Sequence, residues 1–462
     1  MLIIPILVFN NYLSMKLTTL LLAFLCTLSV YSQDFAILSQ QEQSKVIDRW
    51  LGERLDSILP EVMDRADIDM WLVISREYNE DPIIKTLLPS TWLAARRRTM
   101  LLMYKPNGSD KVETLAVARY NVGDRFQKAW DPEEVPNQWK RLVELIKERN
   151  PKRIGINISD DFGHADGLNY TEHQLLLEHL PKKYQNRLVS AEELAVGWLE
   201  TRTASEMATY KHVQSIAHNI IQEGLSEQVI TPGVTGTRDV VWWYRDKIRA
   251  LGLQAWFHPT VDIQRASAES KEHLRTFDKN PDPDVIMPGD VLHMDFGITY
   301  LRLNTDTQQL AYVLKADEKE VPNYLVEALA VGNRLQDILT TNFKTGRTGN
   351  EILKAARTQM KAEDINGTIY THPMGYHGHA AGPTIGMWDN QGEVPGSGNY
   401  QLYPNTVYAI ELNAEVYLEE WQKPFRVMLE EGAYFDGEEV IYLNGRQKEF
   451  LTIPRQESYL KD

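Results

Sequence analysis

Cysteine is almost missing from this chain: Cys26 is the only one in 462 residues. One thiol forms no intramolecular disulfide and no thiolate cage, so any metal site must be built from histidines and carboxylates. Basic excess is missing too. The formal net charge is −15, which argues against nucleic acid or an anionic bilayer as a partner, since both attract basic patches. No repeat of fixed short period and no low-complexity tract is present. The apolar run near the N-terminus is too short for a comfortable membrane span.

That run reads instead as an export signal. A second start, Met15, opens "MKLTTLLLAFLCTLSVYSQ". Lys16 supplies a short basic region, Leu20 to Val30 an apolar core, and Val30 and Ser32 acceptable residues at the −3 and −1 cleavage positions. The expectation is a signal peptide over 1–32, with translation starting at Met15. Leu25 is not the small residue that a lipoprotein site wants before Cys26. The mature chain then has no cysteine, lies in a bacterial periplasm or outside the cell, and keeps no stable membrane association.

A length of 462 residues exceeds one ordinary domain, and two is the natural expectation. Residues 40–66 carry apolar Val46, Leu51, Leu55 and Ile58 at helical spacing. Strand-like runs follow at 70–75, 98–104 and 112–120, then a helical pattern from Val135 to Asn150 and an apolar run at 153–159. These predict a small α/β domain over 33–197. From 198 to 462 the pattern predicts an α+β domain, with helices capped by Thr203 or Ser205, at 236–251, near 321–341 and at 349–362.

The chemistry lies in this second half. In "VIMPGDVLHMDFGITYLRLNTDTQQLAYVL", Val291, His293 and Asp295 alternate onto one face, Gly297 permits a bend or close approach, and a second strand includes Asp306. If the two strands pair as a hairpin, both acids face one pocket, and their repulsion at low dielectric calls for a cation. Taken alone, an edge acid and a turn acid account for the fragment equally simply. Three of the eleven histidines, His372, His377 and His379, then fall within eight positions in "THPMGYHGHAAGPTIG". Glu411 interrupts the apolar strand 405–418, and Glu430 and Glu431 interrupt 423–435. Acids in several strands plus a histidine make a set of hard oxygen donors with one imidazole, suited to Mn, Zn, Co or Fe.

The order Asp295, Asp306 eleven residues on, a histidine in a Gly-rich turn, Glu411, then Glu430 resembles the pita-bread metallopeptidases. That family includes aminopeptidase P, prolidase and methionine aminopeptidase, with creatinase as a metal-free relative. The resemblance covers roughly 200–462, and the first domain is similar to the creatinase-type N-terminal domain. It implies two divalent metal ions, manganese first, with zinc, cobalt or iron as alternatives. It makes Asp295 a bidentate ligand, Asp306 and Glu430 bridging carboxylates, His379 the sole histidine ligand, and Glu411 both ligand and proton shuttle. A metal-bridging hydroxide then attacks the scissile carbonyl, with His273 and a loop histidine, His377 or His372, steadying the oxyanion. Departures from the family pattern are Thr307-Gln308-Gln309 where it has Thr-Arg, Leu412-Asn413 after Glu411, and Gly386 where a second substrate histidine stands. Arg426 stands near the family's arginine, at a different spacing.

The function so implied is a metallo-aminopeptidase acting on peptides, closest to Xaa-Pro aminopeptidase. Alternatives are a prolidase, another C–N hydrolase or lyase on the same scaffold, and a catalytically silent binding protein. Methionine aminopeptidase usually lacks an N-terminal domain, and metal-free creatinase chemistry does not need all five ligands. A homodimer or larger homo-oligomer is implied by the same resemblance.

Overall fold

In the computed structural model the chain is described over residues 36–266 and 285–455. The expected signal peptide with Cys26, and His273, lie outside the described residues. Residues 36–39 carry no regular element, and the described residues from Gln40 onwards belong to one compact unit.

The first helix, Gln40–Arg65, buries Trp50, Leu51, Leu55, Ile58, Leu59 and Val62 along one stripe, matching its sequence period. A six-stranded sheet follows, ordered β4-β3-β2-β1-β5-β6. Its strands are β1 (Met70–Arg76), β2 (Arg98–Tyr104), β3 (Glu113–Val117), β4 (Gln127–Lys128), β5 (Ile154–Ile156) and β6 (Leu188–Ser190). Alternation along β1 sends Trp71 and Val73 to the core shared with the first helix, and Met70, Leu72 and Ile74 to the opposite core. The opposite core takes the helix Gln138–Arg149, started by the Asn137 side chain accepting from the Trp139 and Lys140 N–H groups. Short helices at Pro82–Leu87, Tyr170–His179 and Glu192–Glu200 give little periodic signal and were not expected from the sequence.

Thr203 caps the helix Ala204–Gly224 in a reciprocal pair with Glu206. Arg54, fully buried in the first helix, donates to Glu206 Oε2 at 2.9 Å and to the Thr201 carbonyl at 2.7 Å. Breaking one side of such a pair would strand a buried charge, so it fixes the first helix to this junction.

The second sheet has nine strands, with main path β12-β14-β15-β11-β8-β7. They are β7 (Thr260–Gln264), β8 (Val291–Phe296), β11 (Thr307–Val313), β12 (Asn366–Ile369), β13 (His372–Met374), β14 (Thr406–Leu418), β15 (Lys423–Phe435), β16 (Val440–Tyr442) and β17 (Leu451–Ile453). The two-stranded ladder of β9 (Thr299–Tyr300) and β10 (Leu303–Asn304) sits apart. Ile410, Leu412, Val427 and Leu429 of β14 and β15 share a core with Leu325, Leu329 and Leu335 of the helix Asn323–Thr340 and with Ile352 and Leu353 of the helix Gly349–Ala362. The expected hairpin forms, β8 against β11. Asp306 lies just before β11 rather than inside it, because the chain detours through β9 and β10, turning at Leu301 and Arg302 with φ of 53° and 66°. The architecture is α+β. Among the described residues no helix is long and apolar enough to cross a membrane.

Candidate metal centre

One transverse row of residues crosses five strands of the second sheet: Thr260 on β7, Asp295 on β8, Gln308 on β11, Glu430 on β15 and Glu411 on β14. Directly opposed residues share a face with Cβ atoms roughly 5 Å apart, so register alone gathers three carboxylates. Alternation decides which acids join. Ile410 and Leu412 turn into the helix-covered core, which leaves Glu411 on the other face. Glu431 is thrown to the face opposite Glu430, where it lies 2.7 Å from His218 Nε2 and accepts from Gln309 Nε2 at 3.2 Å.

Asp306 reaches the row from the end of the detour. His372 arrives through β13, paired with Ala409 two residues before Glu411. Its Nε2 stands 3.7 Å from Asp306 Oδ2, 3.9 Å from Glu411 Oε2 and 3.5 Å from Glu430 Oε1. Three overlapping groups have ligand atoms within 4.8 Å of one another: Asp306, His372 and His379; His372, Glu411 and Glu430; Asp295, Asp306 and Glu430. Of the five residues that the resemblance made ligands, Asp306, Glu411 and Glu430 gather around His372, Asp295 joins through Asp306 and Glu430, and His379, exposed, joins only through Asp306 and His372. A second histidine, His372, stands with them where the resemblance had one.

The donors fit a cation. Asp295 Oδ1, Glu430 Oε1 and His372 Nε2 are buried with no hydrogen-bond partner among the described residues. Burying such groups unpaired is expensive, and a divalent ion removes the expense. Burial, then repulsion from Glu430, pushes Asp295, Asp306 and Glu411 far above the usual carboxylate range, and Asp295 adds to the rise of the other two. Burial raises Glu430 as well, against the pull of its hydrogen-bonding neighbours. Burial lowers His372 and His379 to about 4, so both imidazoles are neutral, the form that binds metal. Asp306, Glu430 and His372 each occur in two of the three groups, and of these only the carboxylates have two oxygens with which to bridge.

His377 stands in none of these groups. Its ring packs on His164, with centroids 4.4 Å apart. Burial, then His164, Lys85 and Arg202, lowers it to about 4. His164 belongs to a 3-10 turn, Gly163–Ala165, that follows β5, so the first layer reaches the histidine loop. No local pattern in the sequence marks that contact. Trp256 packs at 5.3 Å from His379 and donates to the Thr305 carbonyl at 2.8 Å. A Cβ on Gly297 or Gly378 would overlap its indole, so both glycines serve close approach. Gly386 has φ +73°, and a Cβ there would press on the Ile369 carbonyl. The position leaves no room for the histidine of the family pattern. Arg426 pairs with Glu415 on the opposing strand, at 3.8 Å.

A profile for metallopeptidase family M24 matches residues 208–440, about half of the 462. The chain belongs to metallopeptidase family M24. Solved structures of similar fold include an X-Pro aminopeptidase from Thermotoga maritima, with TM-score 0.58 and 17% identity over 84% of this chain and 99% of that one. An Xaa-Pro dipeptidase from Bacillus anthracis gives 0.55 and 16% over 90% and 100%. A prolidase from Pyrococcus horikoshii gives 0.52 and 16% over 85% and 99%. These likenesses carry the fold, with its six-stranded and nine-stranded sheets. No curated protein sequence matches the chain.

Proposed function

We propose that this M24 metallopeptidase is an exopeptidase with two divalent ions, removing N-terminal residues from peptides at Xaa-Pro bonds. The observation that carries this reading is the overlap of the donor groups, in which the carboxylates Asp306 and Glu430 each join two groups, together holding His372, His379, Glu411 and Asp295. The proline preference leans on the named activities of the fold neighbours. We also propose the division at about residue 197, export directed by residues 1–32, and homo-oligomerisation.

Asp295, Asp306, Glu411, Glu430 and the two histidines would hold the ions, with manganese preferred. A bound pair supplies a Lewis acid for the scissile carbonyl and lowers the pKa of water towards neutrality. Glu411, at the end of the row and less buried than Glu430, takes a proton and returns it to the leaving nitrogen. His377, neutral and with Nδ1 lacking a partner among the described residues, is the loop group left to orient substrate.

A second reading, dipeptide cleavage, is favoured by the dipeptidase and prolidase among the neighbours. A substrate panel separates them. Xaa-Pro dipeptides, longer Xaa-Pro peptides and Xaa-Ala controls are incubated with manganese-loaded protein. Cleavage of the longer Xaa-Pro peptides alone supports the aminopeptidase, and cleavage of dipeptides alone supports the prolidase. Preference for the alanine controls rejects the proline requirement.

A further inference from the structure

We propose that Gln308 is a positioning residue that fixes the Glu411 carboxylate, and that His293 in turn fixes Gln308; this deepens the role given to Glu411 above and rests on it. Gln308 sits in the middle of the transverse row, opposite both Asp295 and Glu430. Its Nε2 donates to Glu411 Oε1 at 2.9 Å, and its Oε1 lies 2.8 Å from His293 Nε2.

The orientation follows from the partners. As a metal ligand Glu411 would be ionised and would only accept, so the amide would turn its NH2 to Glu411. Its oxygen then faces His293, which must carry hydrogen on Nε2. His293 is buried and opposes Asp262 on β7, with Nδ1 3.9 Å from Asp262 Oδ2. His293, Gln308 and Glu411 thus form a hydrogen-bonded chain, with Asp262 behind His293 at 3.9 Å and Glu430 also within reach of the Gln308 amide.

An amide suits that place. Another acid would add repulsion to the carboxylates of the row, and a lysine or arginine would satisfy them as a resident cation. The amide donates a directed hydrogen bond without charge, leaving Glu411 Oε2 to the ligand cluster, 3.9 Å from His372 Nε2. Nothing in the pairing of β8 and β11 requires glutamine here, since their ladder is made by backbone groups.

The test uses the full chain, stripped of metal and titrated with Mn2+ alone by calorimetry. Gln308→Met keeps size and loses the hydrogen bonds. His293→Leu loses the anchor, whereas His293→Gln offers an amide N–H near the imidazole Nε2. Gln308→Met and His293→Leu should each weaken Mn2+ binding roughly 10–100-fold, the range for outer partners of a ligand. His293→Gln should recover most of that loss, and the Gln308→Met/His293→Leu double variant should bind no worse than the weaker single one. At saturating Mn2+, Gln308→Met should lower kcat with KM unchanged. Wild-type affinity in Gln308→Met overturns the proposal, as does His293→Gln binding no better than His293→Leu. Should Gln308→Met not fold, the His293 pair decides. A wild type that binds Mn2+ but cleaves no peptide rejects the proposed function, while the Mn2+ titrations still judge the clamp.

Discussion

His372 Nε2 lies 3.5 Å from Glu430 Oε1, and both atoms are buried without a hydrogen-bond partner among the described residues. A neutral imidazole beside a carboxylate in that state is a half-built coordination shell. His372→Ala should therefore weaken Mn2+ binding by more than the roughly 10–100-fold typical of outer partners, as should His379→Ala. Mn2+ titration of both variants checks this. A wild-type constant for His372→Ala would remove it from the ligand set and return it to the substrate-binding role.

Adjacent glutamates on β15 should behave as opposites. Glu430→Gln should abolish metal binding. Glu431→Gln should leave metal content intact and cost about 1–3 kcal/mol of stability, because its NH2 would face either the Gln309 and Gln447 donors on one side or the His218 ring on the other, where a charge-assisted contact is lost. Metal analysis and urea denaturation of the two variants settle the contrast.

Glu411→Gln keeps the shape of the row and loses the proton carrier. At saturating metal its kcat on a cleaved peptide should fall by about 10²–10⁴, the range of general acid–base catalysis. An undiminished kcat would assign proton transfer to another group.

The carboxylates make a pH prediction. Their folded-state values are raised, so the folded metal-free protein holds protons that the unfolded chain has released. Stability is then greatest at low pH and falls as pH climbs through the raised values. Lowered histidines such as His372 and His379 oppose this only below about 6.5, their ordinary value. Above that, the Tm of chelated protein should drop with rising pH, and added Mn2+ should restore it more at pH 8 than at pH 6.5. A chelated Tm that holds or rises over this range contradicts the electrostatic account.

The acids were legible in the sequence because a carboxylate in an apolar run stands out by composition: Asp295 in "VLHMDF", Glu411 in "VYAIEL" and Glu430 in "VMLEE". Choosing Glu430 over Glu431 needed only strand alternation. His372 was harder, because β13 is three residues long inside a Gly-rich segment and its pairing with Ala409 has no sequence mark. Gln308 was visible as a departure without a role, since an amide in a strand signals nothing until its row is known. His164 could not be read at all: it joins His377 through packing between layers, more than two hundred residues apart in the chain.

Gly386 offers a check on the backbone itself. With φ +73° and the Ile369 carbonyl in the way, Gly386→Ala should cost about 1–3 kcal/mol, read from the urea midpoint of metal-loaded protein. An unchanged midpoint would mean the turn has room that the structure denies.

The most direct measurement is metal content. Purified protein, stripped, reloaded with Mn2+ and freed of excess, should carry close to two ions per chain, and Asp306→Ala should carry none and cleave nothing. Wild type that retains no ion after reloading, or an Asp306→Ala variant that keeps two, would contradict a centre built on shared carboxylates.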